Sequence, residues 1–206
     1  MTVTLRTPFN RTAGASVSER RSITRRALVL ATLLLGVRVD AQTPTGEAQV
    51  KAMFVYNFLK FVEWPPDTTL AARDPFIVVI IGEGETADAT AHFLQSKSIG
   101  ERPLLVLRNH SDQSLVGARA ALVVERDARK LHRVLAAAAA ARVLTIGEGD
   151  SFTTRGGVIG LLIEDRKVRF DVDTSAAQTA GLRVSSKLLT LTRAIRSSTD
   201  RLGDRE

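Results

Sequence analysis

Apolar residues along this chain fall into short runs broken by polar, glycine-bearing and proline-bearing stretches. The sharpest pattern spans Lys51 to Pro65, KAMFVYNFLKFVEWP. At helical spacing Val50, Phe54 and Phe61 fall on one line, flanked by Phe58 on one side and by Met53, Asn57 and Trp64 on the other. This predicts an amphipathic helix with that stripe toward a core. Asn57 sits inside the apolar arc, so its amide is expected to be buried and held by backbone groups of a neighbouring segment. Pro65 and Pro66 push the preceding residue out of the α region, and the helix should end near Glu63 or Trp64. Beyond it the β-branched run Pro75 to Gly82 predicts a strand buried on both faces. Thr86 to Gln95 reads as a helix. Strands follow at Leu104–Leu107, Ala120–Val124 and Val143–Ile146. Asp127 to Ala141 reads as a helix ending in six alanines, a profile suited to close packing on a sheet. Val158–Ile163 and Val168–Val172 flank Glu164-Asp165-Arg166-Lys167 and predict a β-hairpin. Ser186 to Ile195 reads as a closing helix, with a charged tail from Ser197. The alternation predicts an α/β fold: a single three-layer, Rossmann-like domain with a mainly parallel sheet and a C-terminal β-hairpin.

The amino-terminal segment changes this picture. Arginines at 20, 21, 25 and 26 precede an apolar run from Ala27 to Val37, then Val39-Asp40-Ala41, the pattern of an export signal. Cleavage is expected after Ala41, leaving Gln42 as the new terminus. The eleven-residue apolar run falls short of the roughly 20 residues that span a bilayer, so no stable membrane insertion is expected after cleavage. The pair Arg25-Arg26 also fits a twin-arginine signal, leaving the export route open. The expected organisation is a signal peptide over 1–41, one domain over 42–196 and a tail over 197–206.

Removing the leader removes most of the charge. The whole chain carries +7 and residues 1–41 carry +5, leaving only about +2 for the rest, so the basic balance does not point to nucleic acid. Arg126, Arg129, Lys130 and Arg133 are interrupted by Glu125 and Asp127 and read as a solvated helix face. The chain has no cysteine, which excludes disulfides and thiolate chemistry.

Candidate chemistry is sparse. His92, His110 and His132 fall in separate segments without a second ligand at metal spacing, and neither a G-x-S-x-G elbow nor a P-loop occurs, so no metal, cofactor or catalytic residue is expected. Gly82-Glu83-Gly84-Glu85-Thr86-Ala87 fits G-x-G-x-x-A. Its two glutamates would meet a pyrophosphate, however, and an ordinary strand-to-helix turn accounts for it better.

Two blocks carry a resemblance. The helix ending in VEWP resembles the amino-terminal signature of the YfiR/HmsC family of exported bacterial proteins. Ser151 to Leu191 is similar to its carboxyl-terminal pattern: Gly156, Gly157 and Ile159, then Phe170, then Ala177, Gly181 and Leu182, then Ser186, Leu188 and Leu189. Asp173 stands where members commonly carry asparagine. The cysteines that some members use for disulfide-linked control are missing, so a redox-responsive version is excluded. The resemblance implies a periplasmic, non-enzymatic negative regulator. It would bind the periplasmic domain of an inner-membrane diguanylate cyclase and repress cyclic di-GMP synthesis, and so affect biofilm growth. A sensor kinase as partner and a homodimer are both compatible with it. Candidate partner contacts are Trp64, Phe61, Glu63, Lys60, Gly156, Gly157 and Phe170. Trp64 is the first choice because tryptophan is enriched at interface hot spots. The alternative is a periplasmic small-ligand sensor acting with a kinase or receptor. An aromatic amino acid or nucleotide would then sit at the carboxyl ends of the strands, near Gly82, Gly84 and Arg155.

Overall fold

The continuous β-branched runs become the centre of one sheet, and each buries both of its faces. In the computed structural model, which describes residues 46–65, 74–109 and 115–197, the elements are α1 (Gly46–Phe61), β1 (Val62–Glu63), β2 (Phe76–Gly82), α2 (Glu85–Leu94), β3 (Ser98–Ile99), β4 (Arg102–Asn109) and β5 (Ala120–Val124). They continue as α3 (Ala128–Ala140), β6 (Leu144–Glu148), β7 (Ile159–Glu164), β8 (Lys167–Asp173), α4 (Thr174–Thr179), β9 (Arg183–Val184), α5 (Ser186–Leu189) and β10 (Ala194–Arg196). These residues belong to one compact unit, Thr43–Glu206. The export segment with Ala41 and Gln42, the tail from residue 198 and His110 lie outside the described residues.

Eight strands form the sheet in the order β10-β8-β7-β6-β5-β2-β4-β3, and β2, β4, β5, β6 and β7 run parallel. β8 returns antiparallel to β7, through a turn in which Asp165 and Arg166 both have positive φ (49° and 58°), the geometry of a tight type I′ hairpin. The strand period sorts the core into two layers. Val78 and Ile80 of β2 face α1, α2, α4 and α5, whereas Val79 and Ile81 face α3 and the loop carrying Phe152. The result is a mixed, three-layer α/β architecture. Among the described residues, no helix is long and apolar enough to cross a membrane.

Local capping explains several boundaries. Asp127 caps α3, accepting from the amides of Arg129 and Lys130 at 2.9 Å each, and the basic residues around it are exposed as expected. Asp173 caps α4, accepting from the Ala176 amide at 2.8 Å. Asparagine caps equally well, so the departure from the family pattern preserves the structural role. The helix α4 was not foreseen; it ends at Gly181, whose φ of 69° lets Leu182 turn into the core.

Three expectations are corrected. First, α1 stops at Phe61, because Val62 and Glu63 pair antiparallel with Val184 and Arg183. Second, its core face is Ala48, Lys51, Ala52, Val55, Phe58 and Leu59; Val50 and Met53 are exposed, Phe54 and Phe61 are half-buried, and Asn57 is exposed rather than a buried amide. Third, the segment Ser186 to Ile195 is not one helix. After α5 the chain unwinds, and Ala194–Arg196 adds to the outer edge of β8 as a parallel strand. Tertiary contacts outweigh helix propensity here. The Thr192 hydroxyl and the Arg193 amide both donate to the Phe170 carbonyl, and the Arg193 guanidinium grips the buried Asp171 carboxylate at 2.5 and 3.0 Å. The alanine run is only partly packed: Ala138 is buried with Ala137 and Ala141 beside it, while Ala136 and Ala140 are exposed.

Candidate docking surface

The two faces of α1 define the surface chemistry. Its core face carries one charge, Lys51, only 9% exposed. The Lys51 amine lies 2.6 Å from Glu148 Oε1 at the carboxyl end of β6 and 2.7 Å from Glu47 Oε1 one turn earlier. Thr86 Oγ1 donates to the same Glu148 oxygen at 2.9 Å. Burial opposes the charge on this amine, but the hydrogen bonds and fields of Glu148 and Glu47 outweigh it and hold its pKa above the ordinary lysine value. The cluster fixes the start of α1 over the carboxyl ends of the strands.

The outer face of the same two turns leaves two apolar side chains uncovered beside polar Glu47 and Gln49. Val50 is 41% and Met53 50% exposed. Phe54 reaches inward, with ring centroids 5.9 Å from Phe170 and 6.0 Å from Phe58. Across from this face stands the β7–β8 turn, with Ile163 42% exposed. Together Val50, Phe54, Ile163 and Val168 line an open groove of about 530 Å³. Its charged lining comes from Glu47, Arg166 and Lys167. Glu47 is engaged by Lys51, whereas no ion pair among the described residues is found for Arg166 or Lys167. A second exposed apolar pair, Leu105 and Leu107, lies on the α3-side face of β4, next to the short edge strand β3.

The residues expected to contact a partner do not form one surface. Lys60, Phe61, Glu63 and Trp64 cluster at the far end of α1, ten residues or about 15 Å from Val50 along the axis. There Lys60 stacks its amine 5.1 Å above the Tyr56 ring, and exposed Glu63 lies 4.0 Å from Arg183. Trp64 is half-buried; its indole N–H donates to the Arg119 carbonyl at 2.9 Å, and its ring meets Phe76 edge-on at 5.1 Å. Phe170 is 3% exposed, its ring 4.9 Å from Phe58, and therefore sits in the core where no partner can touch it in this conformation. Gly156 takes φ of 100°, a turn geometry that glycine adopts without strain. Gly157 is buried against Phe152: a Cβ there would stand 2.1 Å from the ring, and one at Gly147 would stand equally close to its opposite edge.

The strand-end crevice also differs from expectation. Gly82, at positive φ, pairs with Val124 at the ends of β2 and β5, where a Cβ would lie 2.0 Å from the Val124 carbonyl oxygen. The cavity beside it, about 180 Å³, is lined by Val123 to Arg126, Glu148 and Gly149, and not by Gly82, Gly84 or the exposed Arg155. It is smaller than the roughly 300 Å³ at which ligand pockets begin. Among the described residues no group of three or more His, Asp or Glu could hold a metal, and His92 and His132 are both exposed.

The groove between α1 and the hairpin was not legible as a site, since its two walls come from opposite ends of the domain. Its only trace in the sequence was a helix with more apolar positions than a single core-facing stripe can use.

The α/β fold has a solved counterpart. A conserved domain protein from Vibrio cholerae O1 biovar El Tor shares 12% identity, with a TM-score of 0.50, over 72% of this chain and 60% of that one. The ABC domain in complex with L-Trp from Streptococcus pneumonia shares 8%, with a TM-score of 0.48, over the same 72% and 60%. At these identities the first likeness shows the fold alone, and the chain spans only 60% of each of those chains. No curated protein matches. A family described as YfiR/HmsC-like matches residues 48–193, from the first turn of α1 to the arginine that staples the last strand. With most of its length covered by that match, the chain belongs to the YfiR/HmsC-like family.

Proposed function

We propose that this protein is an exported negative regulator. It binds the periplasmic domain of an inner-membrane diguanylate cyclase and holds that enzyme inactive, lowering cyclic di-GMP and biofilm growth. The observation that carries the reading is the YfiR/HmsC-like match over residues 48–193, which includes every element that builds the core. Such a role needs no catalytic group. It needs a surface with higher affinity for one conformation of the partner, because equal affinity for both would shift nothing. A preference of about 5.5 kcal/mol would move the cyclase from 99% active to 99% inactive. The exposed apolar side chains along α1 and the hairpin offer contact area of the kind such a preference draws on.

The test is to delete the gene and measure cellular cyclic di-GMP, and in parallel to co-purify the full chain with the membrane-bound diguanylate cyclases of the same cells. A stable complex together with a rise in cyclic di-GMP supports the reading. No complex and no change refute it.

A further inference from the structure

The outer face of α1 poses a physical question that the regulatory role by itself leaves open. Val50, Met53 and Phe54 have the spacing of a core stripe, yet the domain already fills its core from the other side of the helix, through Ala52, Val55 and Leu59. Val50 and Ile163 stay exposed on facing walls above the partly packed Phe54 and Val168, with exposed Met53 beside them, and this marks an interaction surface rather than incomplete packing.

The lining decides what can cover it. We infer that the groove between α1 and the β7–β8 turn receives a short segment of the cyclase's periplasmic domain that carries two or three bulky apolar side chains flanked by an acidic one. This rests on the regulatory reading above and adds its contact surface. The apolar part follows from the walls. The acid follows from Arg166 and Lys167, basic groups on the rim without an ion partner among the described residues, while the opposing Glu47 is already engaged by Lys51, which it shares with Glu148. A second copy docking groove to groove would offer these cations one lining carboxylate, Glu47, and that group is already engaged by Lys51. A free small molecule fits less well, because the walls are half-exposed side chains. A protein partner brings its own rim to exclude water from the contact. The hairpin turn, with Arg166 in the left-handed region, places the basic pair at the groove mouth.

The experiment uses the full chain and the same cyclase's periplasmic domain, with affinity measured by titration at low and at high salt. V50E and I163E should weaken binding at least tenfold with the melting temperature kept. V50S and I163S, which are milder, should weaken it several-fold, so that the result does not depend on an unfolded variant. R166E/K167E should weaken binding at low salt, with the difference from wild type shrinking at high salt. L105E/L107E, on the other exposed apolar pair, should bind as wild type does. Full binding by the groove variants, with loss in L105E/L107E, overturns the inference and leaves the regulatory reading intact. A groove variant that changes the oligomeric state without changing cyclase binding assigns the groove to a second copy and also overturns it. Failure of the wild type to bind the cyclase overturns the regulatory reading and the groove's occupant with it.

Discussion

At Gly157 one added carbon would strike a buried ring that is hemmed in on its other edge. In Gly157→Ala the new Cβ would stand 2.1 Å from Phe152 Cε1, 2.3 Å from Cδ1 and 2.7 Å from Cζ. Carbon atoms pack at about 3.5–4.0 Å, so the ring would have to retreat by more than about 1 Å. It cannot, because its opposite edge rests on Gly147, where the same spacing holds. The φ of Gly157 is not in the left-handed region, so the cost is packing alone. Overpacking of this kind costs about 1–3 kcal/mol, and with the ring held on both edges we expect the upper end, about 3 kcal/mol. Phe152→Ala empties a buried site in the α3-side core and should cost about 3–5 kcal/mol. With the ring gone, however, the alanine at 157 has nothing to strike. The double variant should therefore be no less stable than Phe152→Ala, a coupling of about 3 kcal/mol in a double-mutant cycle. Urea denaturation of the four proteins reads this directly. Additivity within about 0.5 kcal/mol would show that the ring does not hold the glycine, and would refute the reasoning.

Other consequences follow from single contacts. Lys51→Met removes the amine shared by Glu47 and Glu148 and should cost about 1–3 kcal/mol at neutral pH. Because the folded-state pKa of Lys51 is raised, its contribution is complete below the ordinary value of 10.5 and is lost as pH rises through the folded value; the stability gap between wild type and Lys51→Met, followed by urea titration, should therefore narrow only above about pH 10.5. Arg193→Met leaves the Asp171 carboxylate buried without its partner, and should cost about 3 kcal/mol and raise hydrogen exchange in Ala194–Arg196 before the rest of the sheet. Trp64→Phe keeps the ring on Phe76 but loses the hydrogen bond to the Arg119 carbonyl, for about 1 kcal/mol, whereas Trp64→Ala should cost about 3–5 kcal/mol if its ring is core and mainly weaken partner binding if it is an anchor. Thermal melts separate the two cases.

The strands were readable because a stretch such as Phe76 to Ile81 has no polar residue to assign to a solvent face, and Asp127 and the hairpin turn mark their boundaries by local chemistry. The buried face of α1 was not readable. Its first two turns are built from Ala48, Lys51 and Ala52, two residues of weak hydrophobicity and one charge, so periodicity favoured the bulkier Val50, Phe54 and Phe61 over the true stripe that continues through Val55, Phe58 and Leu59. A lysine can occupy that face only because Glu148, almost a hundred positions away, receives its charge, and no local pattern records this. The same limit applies to the end of the chain, where Arg193 is drawn out of a helix-like stretch by Asp171. At Gly156-Gly157 the pattern does show that the backbone is constrained, but not that a ring five residues upstream is the reason. From the sequence, a contact surface was to be sought among apolar groups exposed on a single domain. Its location was not legible, because Phe170 and Gly157 turn inward and the open groove lies at the other end of α1 from Trp64.

The most direct measurement of the central claim is cellular cyclic di-GMP in the gene deletion, compared with the same strain carrying the wild-type chain and the V50E/I163E variant, with complex formation followed by co-purification. The account predicts a rise on deletion, return to the parental level with wild type, and a persistent rise with the groove variant despite normal amounts of folded protein. An unchanged level on deletion, with no cyclase recovered alongside the chain, would contradict it.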